Sequence, residues 1–235
     1  MAARNAHAYG VGDAVTPVED DVRAAGLRGV DAAFVDPARR SARGRMRVGQ
    51  SEPPLDWCVA LAQRVPAVGV KAAPGVPHEL VPAGWEAEFV SVGRELREAV
   101  LWSPALAGAP ARATLLPAGD TLVPADGEPV PVRDPGGYLL DPDPAVTRAG
   151  AVEELARRIG AWKIDERIAF LSADEPVVTP FARTMRVLDS APWDQRRLPQ
   201  RLRAWTSAPS TSAAAAWPAT STRSTGGSSS PVRGA

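Results

Sequence analysis

Short apolar runs alternate with amphipathic stretches over the first 118 residues. In residues 30–40, VDAAFVDPARR, the positions Val30, Ala32, Ala33, Phe34 and Val35 leave no polar side, which predicts a strand covered on both faces. Asp36 and Pro37 close that run: proline cannot donate to a ladder and biases the residue before it toward extended backbone. The carboxylate is then held at the carboxyl edge of a sheet, where open α/β sheets bind ligands. Upstream, residues 1–9 read as the end of a helix stopped by Gly10 and Gly12, residues 14–18 as a short strand and residues 22–27 as a brief helix. Downstream, Leu55, Val59 and Ala62 have helical spacing within residues 54–64, residues 66–71 form a second apolar strand, and Pro74-Gly75 marks a turn. Strand, helix and strand in that order predict a parallel sheet.

From Trp85 the pattern changes. WEAEFVSVGRELREAVLW and ARATLLP read as two strands without a full helix between them, as a hairpin at the edge of a parallel sheet would give. Residues 119–137, rich in Pro, Gly and Asp, read as a linker. A single helix is predicted over residues 145–159, with Val146, Ala149, Val152 and Ala156 on one face and Asp143 as its N-cap. IAFLSADEP and PFARTMRVLDS add two strand-like runs, and RRLPQRLRAW reads as an amphipathic helix. The expected organisation is a sheet domain over 1–118, a linker over 119–137, a small α+β domain over 138–205 and a tail over 206–235. In that tail Ser, Thr and Ala supply 20 of 30 residues, with no Leu, Ile, Asp, Glu or Lys, so disorder is predicted. Two readings of its origin stand: a stretch translated out of frame, or a natural low-complexity end.

Composition narrows the function. The 235 residues hold 27 Lys and Arg against 27 Asp and Glu, so no global charge points to nucleic acid, membrane or an acidic partner. The one cysteine, Cys58, lies in an apolar stretch and reads as a core residue; a disulfide within the chain is excluded, and a reducing cytoplasm fits. No apolar run reaches the ~20 residues of a membrane helix. His78 has no Cys or acidic cluster at ligand spacing, so no metal site is expected. Trp102, Trp162 and Trp193 read as core anchors. Arg39, Arg40, Arg43, Arg45 and Arg47 directly follow Asp36-Pro37, as phosphate contacts or as a solvated loop.

As an ordered set, NAHAYGVGDAVTPVEDDV, DAAFVDPARR, KAAPGVP, EAEFVSVGRELREAVLW and the long stretch from PGGYLLDPDP to PFARTMRVL resemble the bacterial class I S-adenosylmethionine-dependent methyltransferases that carry a C-terminal THUMP-like domain. The resemblance spans roughly residues 1–204. It implies an α/β fold: the later strands of a Rossmann-like methyltransferase sheet, then a small α+β THUMP-like domain and the disordered tail. It implies S-adenosylmethionine as cofactor and RNA as partner and substrate. Asp21 then stands where the family has an acid near the adenine amino group, with the backbone N–H of Val22 beside a ring nitrogen; capping of the following turn is the alternative for Asp21. Asp36 and Pro37 stand at the family's Asp-Pro-Pro-type motif, where the acid and a nearby carbonyl orient the acceptor amine; a strand terminator with a solvated Asp is the alternative. Arg39, Arg40 and Arg43 would meet RNA phosphates.

The chain departs from that pattern in two places. Ala38 replaces the motif's second proline. Gly10 and Gly12 follow a helix and precede a strand, the reverse of the order a cofactor-binding glycine turn requires. The expectation is therefore a methyltransferase fragment that lacks the glycine-rich donor-binding half and is inactive alone. A non-catalytic RNA-binding module and a degraded or frameshifted gene product are the alternatives.

Overall fold

The apolar run at residues 30–35 becomes β1 (Ala32–Val35), and the ladder stops where Pro37 has no N–H to give. The computed structural model describes residues 1–38, 40–41, 44–45, 51–192 and 194–197. The predicted tail over 206–235, Trp193, and Arg39, Arg43, Arg47, Arg201 and Arg203 lie outside them, as do the side chains of Arg40 and Arg45. The chain forms two compact units, Met1–Ala125 with Pro144–Ala151, and Asp126–Asp143 with Val152–Ala235.

In the first unit, α1 (Ala2–Ala8) closes at Gly10 (φ 70°) as expected. After β1 come β2 (Arg40–Ser41), β3 (Gly44–Arg45), α2 (Leu55–Ala60) with a following 3-10 turn (Leu61–Gln63), and β4 (Ala67–Ala72). Then follow β5 (Glu86–Val92), β6 (Glu95–Trp102), β7 (Ala111–Leu116) and β8 (Asp120–Leu122). A six-stranded sheet has the order β1-β4-β6-β5-β7-β8, in which β1 is parallel to β4, and β6 runs antiparallel between β4 and β5. The stretch from Trp85 thus holds three strands where two were expected. Gly93 (φ 58°) and Arg94 (φ 67°) form a two-residue turn with both residues left-handed, which matches the twist of a hairpin and folds the first eighteen residues into β5 and β6. That hairpin sits inside the sheet, because β7 pairs with β5 in parallel and β8 continues beyond it. The expected linker accordingly begins with a strand.

Three other expectations give way. Residues 15–19 join no ladder, so no strand forms at 14–18. Residues 22–24 make one turn only, closed by Ala24 N–H to Asp21 O at 2.8 Å; Gly26 and Gly29 follow too soon for a helix. The buried side of α2 and its 3-10 extension is Cys58, Leu61 and Val65, one position off the predicted stripe. These residues cover one face of the sheet together with Ala145, Val146 and Ala149, against Val68, Val70, Ala87, Phe89, Ala99, Leu101 and Ala113. Burial pushes the Cys58 thiol up to about 11, which leaves it an inert core group.

The predicted helix over 145–159 is two helices. After α3 (Pro144–Arg148), Gly150 (φ 72°) donates to Thr147 O and Ala151 to Val146 O, the paired bonds of a Schellman stop. α3 packs in the first unit; α4 (Val152–Ile159) belongs to the second. There β9 (Tyr138–Pro142), β10 (Trp162–Lys163), β11 (Leu171–Ala173) and β12 (Ala182–Arg186) form an antiparallel sheet of order β10-β11-β9-β12. Trp162 is a core anchor here, its indole donating to Asp134 O at 2.9 Å. Gly150→Ala forces a Cβ into the left-handed region and is expected to lower stability by about 1–2 kcal/mol, readable as a reduced urea midpoint.

Candidate functional site

Parallel strands bring their carboxyl ends to one rim, and the register Val35↔Val70 sets Asp36 beside Lys71. Lys71 Nζ lies 3.3 Å from Asp36 Oδ2 and 3.2 Å from Glu98 Oε2. The Glu98 carboxylate, with Asp36 adding to it against an opposing effect of burial, holds the Lys71 ammonium above its ordinary pKa. The Asp36 side chain keeps 60% of its exposure, while Pro37 behind it is buried. Asp36 therefore stands at the carboxyl rim of a parallel pair, one oxygen engaged by a cation and the carboxylate open to solvent.

Beyond Pro37 the chain pairs Ala38 with Glu52 through two backbone bonds of 2.8 and 2.9 Å. This bridge closes the base of the segment that carries β2 and β3, paired Arg40↔Arg45 and Ser41↔Gly44. Two arginine positions thus face each other on a hairpin that starts three residues after Pro37. Arg23 reaches back to the same base: its guanidinium bonds Glu52 and lies 4.0 Å from Asp21. Asp21 and Asp36 are in this way linked through Arg23, Glu52 and Ala38. Asp21 Oδ1 accepts the Arg23 N–H at 2.9 Å, so the carboxylate caps its own turn, and Val22 is exposed. Gly12 lies in a 3-10 turn (Gly12–Ala14), and no strand-to-helix glycine turn forms there.

The sheet face opposite the core carries groups that the sequence reading missed. Gly69 and Lys71 of β4, Glu98 and Trp102 of β6, Glu86 and Glu88 of β5, and Arg112 and Thr114 of β7 all lie on it by register. Glu88 accepts from Trp102 Nε1 at 2.8 Å and from Thr114 Oγ1 at 2.5 Å. Glu86, 1% exposed, accepts from Arg112 Nε at 2.6 Å and from the amides of Gly108 and Ala109 at 2.6 and 3.1 Å. Phe34 and Trp102 lean together over Gly69, ring centroids 6.1 Å apart; a Cβ there would come within 2.6 Å of Trp102 and 2.8 Å of Phe34. Trp102 is therefore a half-buried member of this face and not a core anchor. The available signal was the period-two alternation of polar residues, Glu86 and Glu88 in EAEFV and Arg112 and Thr114 in ARATL. On the core face, the Arg148 guanidinium lies 5.0 Å from the Phe89 ring centroid and bonds Val76 O at 2.6 Å. Among the described residues no group of three His, Cys, Asp or Glu is placed to hold a metal, and no helix is long and apolar enough to cross a membrane.

This architecture resembles the crystal structure of a "putative methyltransferase" from Porphyromonas gingivalis W83, with a TM-score of 0.56 and 21% identity over 74% of this chain and 47% of that one. The likeness is one of fold. In sequence, 176 residues are 39% identical to two Mycobacterium tuberculosis proteins, of strains CDC 1551 / Oshkosh and ATCC 25618 / H37Rv, each named as an uncharacterized S-adenosylmethionine-dependent methyltransferase. The match takes in 72% of this chain and 48% of each relative, so the chain spans about half the length of the curated relatives it matches. No protein-family model matches it.

The Glu86 network makes a testable claim about the first unit. Burial works to raise the Glu86 pKa, but bonds from Arg112, Gly108 and Ala109 outweigh it and hold the carboxyl below its usual range. The stability it contributes is complete above the unfolded-state value of about 4.3 and is lost as pH falls through the depressed folded one. Glu86→Ala should cost about 3 kcal/mol at neutral pH. In urea denaturation between about pH 5 and pH 3, Glu86→Gln should flatten the loss of stability that the unsubstituted protein shows.

Proposed function

We propose that this chain carries the acceptor-orienting part of an S-adenosylmethionine-dependent methyltransferase that acts on RNA. The observation that carries the reading is Asp36 at the carboxyl rim of β1 and β4, half solvent-open and steadied by Lys71. Methyl transfer to an amine requires the nitrogen lone pair to be aimed at the donor carbon, a demand for positioning more than for strong base chemistry. Asp36 accepts an N–H of the acceptor amine and so turns the lone pair away from itself. Lys71 pairs with one oxygen of the carboxylate and steadies its rotamer, and buried Pro37 sets the backbone from which it projects. Arg39, Arg40 and Arg43, on the segment that follows, meet RNA phosphates. The second unit takes the THUMP-like role of gripping RNA, in a cytoplasmic setting.

The names of the mycobacterial relatives support S-adenosylmethionine as the donor. Asp21 and Val22 are the residues assigned to its adenine. The reading leaves that donor site incomplete: Asp21 is occupied in its own turn, and Gly12 lies in a 3-10 turn that follows a helix, not between a strand and a helix. No catalytic step is therefore assigned to this chain acting alone. Isothermal titration with S-adenosylmethionine should show no binding tighter than about 100 μM, a Kd equivalent to about 5.5 kcal/mol. Low-micromolar affinity would contradict the incomplete donor site.

A second reading, a non-catalytic RNA-binding module, is favoured by the paired arginine positions Arg40 and Arg45. Both readings expect salt-dependent affinity for single-stranded RNA. Arg40→Ala and Arg45→Ala should each reduce the slope of log K against log salt by about 0.7. The two part in a longer protein that binds S-adenosylmethionine: there the first reading expects methyl transfer that Asp36→Asn abolishes with RNA affinity unchanged, and the second expects no methyl transfer with or without the substitution.

A further inference from the structure

β1 is parallel to β4 and β5 to β7, while β6 runs antiparallel between β4 and β5, so the carboxyl ends of β1, β4, β5 and β7 share one rim. Asp36 takes that rim on the face away from the core. On the core side, the pairings Ala72↔Ala99 and Phe89↔Ala99 set the buried Phe89 ring level with Ala72, the last residue of β4. The loop leaving β4 carries Val76 and His78, and α3 brings Arg148 to the same place. The His78 ring leans on Phe89 at 5.6 Å between centroids, and the Arg148 guanidinium lies 5.0 Å from that same ring. One phenyl ring thus holds an imidazole and a guanidinium together at the rim. Arg148 has more donors than the protein occupies. A guanidinium offers five N–H groups and a permanent charge. Nη2 donates to Val76 O at 2.6 Å; the other nitrogens have no acceptor among the described residues, and Nε is sealed from solvent as well. No described carboxylate pairs with this cation, and Glu79, the acid adjoining His78, is exposed and engages neither side chain.

The end of α3 and the face of Phe89 soften the Arg148 charge, as helix carbonyls and a ring quadrupole do, but neither gives its remaining N–H groups a partner. A half-buried cation without a counterion is costly, and its open donors call for an acceptor from outside the chain. We infer that Arg148 and His78 form a subsite for a phosphate oxyanion at the carboxyl rim, filled by a backbone phosphate of the RNA; that source rests on the proposed function, the chemistry of the subsite does not. Arg148 supplies the planar fork that suits phosphate oxygens, and His78 adds a ring N–H from the other side of Phe89. A tetrahedral anion with several acceptor oxygens can take donors from both directions, which one planar carboxylate does less well. In the strand order β1-β4-β6-β5, Asp36 and Phe89 are three strand spacings apart, about 14 Å. The phosphate held here therefore belongs to a nucleotide flanking the one presented to Asp36.

The chain has two histidines, His7 and His78, so each ring is its own reporter in a nuclear magnetic resonance titration. The sealed Nε–H of Arg148 is shielded from exchange and gives a third. Inorganic phosphate is titrated into the full chain at fixed pH, with chloride matching the ionic strength in a parallel series. The expected result is that the His78 ring and the Arg148 Nε–H move along one saturating curve in phosphate only, while His7 stays in place. Arg148→Met, which keeps an apolar stem over Phe89, should abolish the His78 shift. His78→Ala changes an exposed residue and leaves the fold intact; it should weaken phosphate about tenfold as read at Arg148. His7 and His78 moving alike, an unmoved Arg148 signal, or unchanged affinity in His78→Ala would overturn the subsite. A short single-stranded RNA is then added in place of phosphate. It should move the same two signals, and Arg148→Met should lower the slope of log K against log salt by about 0.7. RNA that moves neither signal where phosphate moves both overturns the RNA source and leaves a site for free phosphate. No response to phosphate overturns the subsite and leaves the reading of Asp36 standing.

Discussion

The parallel register of β1 on β4 decides where the charged groups of the first unit can meet. With Val35 beside Val70, Asp36 leaves the ladder level with Lys71, and β6, running the other way, returns Glu98 to the same place. A slip by one residue would turn every side chain of β1 to the opposite face and send Asp36 toward the core side. Proline adds the second constraint. By ending the strand at Asp36 it gives the chain a fixed point of departure for the Ala38–Glu52 bridge and for the arginine positions beyond it.

The two faces of this sheet divide the physical labour. One is aliphatic and aromatic, closed by Cys58, Leu61, Val65 and α3, and supplies burial. The other is built from paired polar groups: Glu86 with Arg112 and two amides, Glu88 with Trp102 and Thr114, Lys71 with two carboxylates. Each of these carboxylates is satisfied by donors of neighbouring strands, so the polar face also fixes strand register.

How much of this was legible depended on how local the cause was. Asp36 at a carboxyl rim, β4, the Gly10 stop and the turn at Pro74-Gly75 follow from a few consecutive residues, and the expected placements hold. The insertion of β6 between β4 and β5 is nonlocal. EAEFV and ELREAV announce strands, but nothing within them says that their partners are AVGVKA on one side and ARATLL on the other. The polar face was missed for the same reason, since its residues come from four separated strands. The break at Gly150 was legible in principle; the apolar spacing across it mimicked one continuous helix, and tertiary packing divided its halves between units. Strands and helices expected at residues 14–27 failed because short segments near Gly26 and Gly29 had no partner to reward their ordering.

Pro144–Ala151 belongs with the first unit although residues 126–143 before it and 152 onward belong with the second. The polypeptide therefore leaves, comes back for eight residues and leaves again. Any attempt to harvest the sheet as a contiguous piece by trimming after Ala125 would remove Ala145, Val146 and Ala149 from their seats and strip Phe89 of the guanidinium stacked above it. The two units can be told apart in space, but scissors cannot separate them cleanly along the sequence.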